Sequence, residues 1–178
     1  MEEVILVDEK DNQIGTEEKL KAHQEGKLHR CFSIFIFNKK GELLLQQRAL
    51  NKYHCGGIWA NTCCSHQRPG EKSEDAVHRR LMEEMGFDCE MKEVFTFIYR
   101  AEFDNGLTEH EFDHVFVGVS DEELNPNPEE VADYKYLTIE NLLKEFDEKP
   151  DDYSVWLKIA LNKFIKSHSD KLPKDTFK

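Results

Sequence analysis

The segment Ser73–Gly86, SEDAVHRRLMEEMG, constrains the chain more than any other. Glu74 and Asp75 place acid where a first helical turn would begin, and Gly86 stands where a helix would stop. The segment therefore predicts a helix over 73–85 with Ser73 as its N-cap. At about 100° per residue, Val77, Leu81 and Met85 form one apolar stripe. Glu84 falls beside that stripe, and Arg80 lies one turn earlier on the same flank. Two readings stay open. The pair is an i, i+4 salt bridge finishing a core face, or Glu84 points into a site and binds a divalent cation.

Strand patterns surround this helix. Glu3–Val7 reads as a first strand, with Gln13–Thr16 pairing across Asp11-Asn12, followed by a short helix over Glu17–His23. Leu28–Asn38 is rich in Phe and Ile and turns through Asn38–Gly41 into Glu42–Arg48. Two further strands flank Asp104-Asn105-Gly106, and Val131–Leu137 is another. Helices are predicted over Ile139–Phe146 and Ser154 to about Lys166, the latter carrying Trp156, Leu157, Ala160, Leu161, Phe164 and Ile165 on one stripe. The expected architecture is α/β (α+β): a mixed sheet covered by helices on both faces. One domain over residues 1–178 is expected, with 1–27 as an N-terminal extension and 167–178 as a frayed tail.

Composition narrows the function classes. No apolar run suits a membrane helix, and Met-Glu-Glu-Val does not look like a secretion signal. Five cysteines without a disulfide-like spacing point to reduced thiols in the cytoplasm. The net charge of −12 disfavours nucleic acid. An anionic ligand would need a metal ion and a few local Lys or Arg.

Candidate metal ligands come from separate segments: His23 and His29, His66, and Glu109 with Glu111. Strand side chains alternate, so Glu109 and Glu111 project from one face about 7 Å apart, and Asp113 continues the row. Such a row is also what the solvated face of an edge strand looks like. There is no HExxH and no CxxC pair, and adjacent Cys63-Cys64 is poor geometry for joint ligation.

From Ser65 to Phe87 the chain resembles a Nudix box. Glu71, Arg79, Leu81, Glu83, Glu84 and Gly86 match the pattern. Ser65 stands where the box begins with Gly, and Arg80 replaces a Glu that binds metal in the hydrolases. Nearly the whole chain is similar to type 1 isopentenyl diphosphate delta-isomerases of the Nudix superfamily. LKAHQEGKLHRCFSIFIFN, LLLQQRALNK, NTCCSH and TEHEFDH carry that resemblance. The resemblance implies interconversion of isopentenyl and dimethylallyl diphosphate in isoprenoid biosynthesis, a small-molecule substrate, and a monomer or weak dimer. It implies His23, His29, His66, Glu109 and Glu111 as ligands of one divalent metal, with Cys64 as the catalytic thiol. Glu84 would bind Mg2+ shared with the diphosphate, which Lys19, Arg48, Lys52 and Arg80 would contact. Three histidines and two carboxylates suit Mn2+, Mg2+ or Fe2+ better than tetrahedral Zn2+. The rivals are a Nudix hydrolase of a nucleoside or prenyl diphosphate and a non-catalytic diphosphate-binding module.

The implied chemistry adds one proton to an alkene and removes another through a carbocation. Acid and base must then sit on opposite faces of the substrate. By the resemblance, Cys64 would supply one face and Glu111, assisted by Tyr99, the other. A three-residue hairpin loop at Asp104-Asn105-Gly106 sets Tyr99 opposite Glu111; a two-residue loop pairs it with Phe112. Trp156 either faces the cation or is a core residue of the last helix. His54, His78, His110, His114, His168, Cys31, Cys55 and Cys89 receive no role.

Overall fold

The alternation of one strand, His29–Phe37, explains the layers. Phe32, Ile34 and Ile36 join one buried cluster and Phe35 and Phe37 another. A strand that is apolar on both faces must be covered twice. The structure, a computed structural model, describes residues 2–52 and 55–168. Among these, the strands are β1 Glu3–Val7, β2 Gln13–Glu18, β3 His29–Phe37, β4 Leu43–Arg48, β5 Trp59–Ala60, β6 Cys63–Ser65, β7 Met91–Glu102, β8 Thr108–Val119 and β9 Val131–Leu137. The helices are α1 Lys19–Glu25, α2 Ser73–Met85, α3 Ile139–Glu148 and α4 Val155–Ser167, with a 3-10 turn at Pro150–Asp152.

β3 runs parallel to β8, from His29 opposite Glu111 to Phe37 opposite Val119, and antiparallel to β1, β4 and β6. β7 extends the sheet beyond β8, and β5 and β9 pair with β4. Leu81, Val77 and Met85 of α2 pack with Phe32, Ile34, Ile36 and Leu44. Leu142 of α3 and Trp156, Leu157, Leu161 and Phe164 of α4 pack with Phe35, Phe37, Leu43 and Val115. This is the mixed sheet with two helical layers that the periodicity predicted. Each strand of the β3–β8 pair is polar at its beginning and apolar toward its end. Burial of Phe35, Phe37 and Val115, about 1.5–3 kcal/mol each, helps hold the polar ends in register.

The hairpin loop has the expected three residues: Phe103 N donates to Leu107 O at 2.9 Å, and Gly106 has φ +80°. Tyr99 is consequently opposite Glu111.

Three local expectations are corrected. The first helix spans Lys19–Glu25 rather than 17–23, because the Glu18 carboxylate accepts from Leu20 N and Lys21 N and so caps it two residues later. β2 extends to Glu18 for the same reason. Ser73 is the first helical residue of α2; Lys72 holds the N-cap position, and the Ser73 hydroxyl accepts from Gln67 Nε2 at 2.8 Å instead. The short strands β5 and β6 were not predicted. Of the expected frayed tail, Ser167 closes α4, while 169–178 lie outside the described residues.

Candidate active site

Gly26, in the left-handed conformation at φ +61°, ends α1 and turns the chain into β3. That reversal returns His23 to within 4.7 Å of His29, ring centroid to centroid, and His66 follows β6 to lie 5.1 Å from His29. His23, His29, His66 and Glu111 each offer a ligand atom, and these atoms lie within 4.8 Å of one another. His23 Nδ1 lies 2.7 Å from Lys19 O and His29 Nδ1 lies 2.8 Å from Lys27 O. A carbonyl oxygen only accepts, so each Nδ1 carries a proton, which leaves metal ligation to Nε2. His29 Nε2 is buried without a hydrogen-bond partner among the described residues, 3.4 Å from Glu111 Oε1. Burial pushes His66 down to about 3, which keeps it neutral. Burial would raise the Glu111 carboxyl, but His29 and His66 outweigh it and hold it well below the usual range. Three imidazoles gathered around a carboxylate held in its ionised form fit a divalent cation.

Glu109 stands beside that group. The Tyr99 hydroxyl bridges Glu109 Oε2, at 3.1 Å, and Glu111 Oε2. Burial and the charge of Glu111 push Glu109 up to about 8. The same causes push Asp113 up to about 8, and its Oδ2 accepts from Ser33 Oγ at 2.8 Å. The Glu109–Asp113 row is therefore buried, not solvated.

Alternation along β6 separates its two cysteines. Cys63 packs under α2, while Cys64 turns into a pocket that Glu111 and Tyr99 also line. Burial, followed by the charge of Asp113, pushes the Cys64 thiol well up. β3 runs between β6 and β8, so the strands bearing Cys64 and Glu111 lie two interstrand steps apart, about 9–10 Å.

Every predicted anion contact reaches this pocket: Lys19, Arg48, Lys52 and Arg80 line it together with Glu84 and Trp156. Lys19 pairs with Glu2 at 3.2 Å, and Lys52 and Arg80 both reach Glu130. Glu84 is buried; it accepts from Arg80 Nη2 at 2.5 Å and from Gln46 Nε2 at 2.8 Å. Glu84 is thus ion-paired to Arg80 and also lines the pocket. Arg48 lies over the Trp156 ring at 5.5 Å.

The comparisons agree on the family. A family model for the NUDIX domain matches residues 27–157. Isopentenyl-diphosphate Delta-isomerase 2 of Aromatoleum aromaticum is 51% identical over 94% of this chain and 89% of its own length. The Burkholderia multivorans isopentenyl-diphosphate Delta-isomerase is 54% identical over 87% and 88% of the two chains. The chain belongs to the isopentenyl-diphosphate Delta-isomerase family, within the Nudix fold. A crystal structure of DR0079 from Deinococcus radiodurans superimposes with a TM-score of 0.74 at 20% identity, covering 90% of this chain and 98% of that one, and speaks to the fold alone.

Within the isomerase family fold, the box residues Glu71 and Arg79 have a structural task. Arg79 Nε and Nη2 donate to the two Glu71 oxygens at 2.6 and 2.7 Å, which ties the loop before α2 to the helix. The Arg79 guanidinium holds the Glu71 carboxyl below its ordinary value. A depressed carboxyl contributes stability above its unfolded pKa and loses it as pH falls through the folded one. Glu71→Gln is expected to cost about 1.5–3 kcal/mol at neutral pH. The difference from wild type should shrink once pH drops below the ordinary carboxylate value of about 4.3. Urea unfolding across a pH series measures it, and a gap independent of pH would contradict the assignment.

Ser33, Gln46 and Glu130 line the isomerase pocket and escaped the sequence reading, as did Asn61 and Glu2, which pair with the lining residues Cys64 and Lys19. Asn61, Ser33 and Gln46 lay inside NTCCSH, LKAHQEGKLHRCFSIFIFN and LLLQQRALNK, motifs already singled out. Glu130 and Glu2 had no signal short of the tertiary pairing.

Proposed function

We propose that the protein converts isopentenyl diphosphate to dimethylallyl diphosphate at the pocket between β6 and β8. The carrying observation is that Cys64 and the Glu111–Tyr99 pair open into one pocket from strands on either side of β3, with cationic side chains along the same wall.

Lys19, Arg48, Lys52 and Arg80 bind the diphosphate and so set the direction in which the five-carbon unit enters. The alkene then lies between Cys64 and Glu111. One of these groups adds a proton at the terminal carbon, and the other removes a proton from C2 on the opposite face. The intermediate is a tertiary carbocation, which water would trap, so the buried surroundings matter. The Trp156 ring faces that charge and contributes about 2 kcal/mol when desolvated. Tyr99 relays a proton to or from Glu111 and keeps the carboxylate aimed at the pocket. The N-terminal extension supplies His23 and Lys19. His23, His29, His66, Glu109 and Glu111 would hold one divalent cation, Mn2+ or Mg2+, and Glu84 a Mg2+ at the diphosphate, supplying charge that favours ionised Glu111 and neutralises the phosphates. Arg80, where hydrolases keep a metal-binding Glu, weighs against phosphate cleavage.

Proton NMR of isopentenyl diphosphate with the protein, Mg2+ and Mn2+ in D2O tests this reading. Dimethylallyl diphosphate carrying deuterium should appear without inorganic phosphate. Chelation should stop the conversion, and restored metal should restart it. Phosphate release with an unmoved alkene would replace this reading with a hydrolase.

A further inference from the structure

We infer that Asn61 is a positioning residue for the Cys64 thiol. The inference rests on Cys64 being the catalytic thiol, and its argument is geometric. Asn61 is fully buried. Its Nδ2 donates to Ile34 O at 3.1 Å and to Cys63 O at 3.0 Å, which commits both amide hydrogens to backbone carbonyls. The alternative flip would set Oδ1 against those two carbonyl oxygens, so the orientation of the amide is fixed. Oδ1 is left facing Cys64 Sγ at 2.9 Å. That oxygen can only accept, and the thiol is the group that donates to it.

A second contact holds the sulfur from β3. Ser33 Oγ lies 3.4 Å from Cys64 Sγ while donating to Asp113 Oδ2. The sulfur is therefore hydrogen-bonded to Asn61, two residues before β6, and packed against Ser33 of the neighbouring strand, whose one hydrogen goes to Asp113. Strand alternation alone sends Cys64 to the pocket side, but it leaves the side-chain rotamer open. The Asn61 amide removes that freedom. A thiol that must reach one carbon of a flat substrate gains rate from such restraint, and misplacement by about 1 Å can cost about 10²-fold.

A residue that also staples Ile34 to Cys63 has a structural role, so the test must separate the two. Steady-state kinetics of Asn61→Ala, with folding checked by near-UV circular dichroism, should give a kcat about 10²-fold lower with KM for isopentenyl diphosphate unchanged. The S–H stretching band of Cys64, identified by its loss in Cys64→Ala, should shift to higher frequency in Asn61→Ala as its acceptor disappears. An unchanged kcat, or kcat and KM worsening together, or an unmoved band would overturn the inference. Should Asn61→Ala fail to fold, the wild-type spectrum decides. A Cys64 band below that of a thiol in apolar solvent supports the inference, and one at that frequency overturns it. Full activity in Cys64→Ala would instead remove the reading of Cys64 on which the inference stands.

Discussion

Cys64→Ala is expected to lower turnover of isopentenyl diphosphate by about 10²–10⁴-fold, the usual contribution of a positioned acid or base. Its effect on stability should be small by comparison. The side chain is half-buried and small, so the loss is mainly the unmet oxygen of Asn61, about 1–3 kcal/mol. Substrate binding should survive, because the cationic side chains and Glu84 are untouched. Cys63→Ala forms the internal control. Cys63 is fully buried under α2, and its truncation should cost stability without a comparable loss of turnover per folded molecule. Single-turnover NMR and chemical unfolding of both variants measure the contrast. Equal loss of turnover in the two would show that packing, not the thiol, carries the effect.

Gly86→Ala is expected to be strongly destabilising for a change of one methyl group. Gly86 ends α2 at φ +75°, and its N–H donates to Met82 O at 3.1 Å. A Cβ there would lie 2.1 Å from Asn125 O and 2.7 Å from Asn125 C, both backbone atoms. Those atoms cannot swing aside, because Asn125 N and Asn127 N donate to Met85 O and Glu84 O and so fasten the segment to the helix end. The left-handed conformation costs about 1–2 kcal/mol for a side-chain-bearing residue, and the overlap adds about 1–3 kcal/mol. A loss of about 2–5 kcal/mol in urea unfolding is the expected result. Gly70→Ala is the comparison: φ is +82° there, but a Cβ meets nothing within 4 Å, so only the backbone component should appear. Equal losses at the two positions would contradict the steric account.

Periodic elements were legible because their signals are local. The α2 stripe, the Phe- and Ile-rich β3 and the three-residue hairpin loop each follow from a few adjacent residues, and the hairpin alone sets Tyr99 against Glu111. The strands β5 and β6, two and three residues long, carry no period to detect, although β6 holds Cys64. The α1 boundary slipped because a glutamate side chain, Glu18, does the capping, where Ser, Thr, Asp or Asn is the usual signal. Burial of the Glu109–Asp113 row was undecidable from alternation, which looks the same on a solvated edge. Glu130 remained silent for another reason: it acts through Lys52 and Arg80, which lie far away in sequence.

The parallel pairing of β3 with β8 also sets when the site can exist. Ser33 and Asp113 are 80 residues apart in the chain and hydrogen-bonded in the fold. Contacts of such separation form late and slow folding toward the millisecond-to-second range. Before that pairing His29 has no Glu111 beside it, so a divalent cation held by these residues would have only the completed fold to bind. Binding to the native state alone stabilises by mass action, about 2.7 kcal/mol at a hundredfold excess over Kd. The supply of metal in the cell would then govern how much of this protein stays folded, as well as how fast it works.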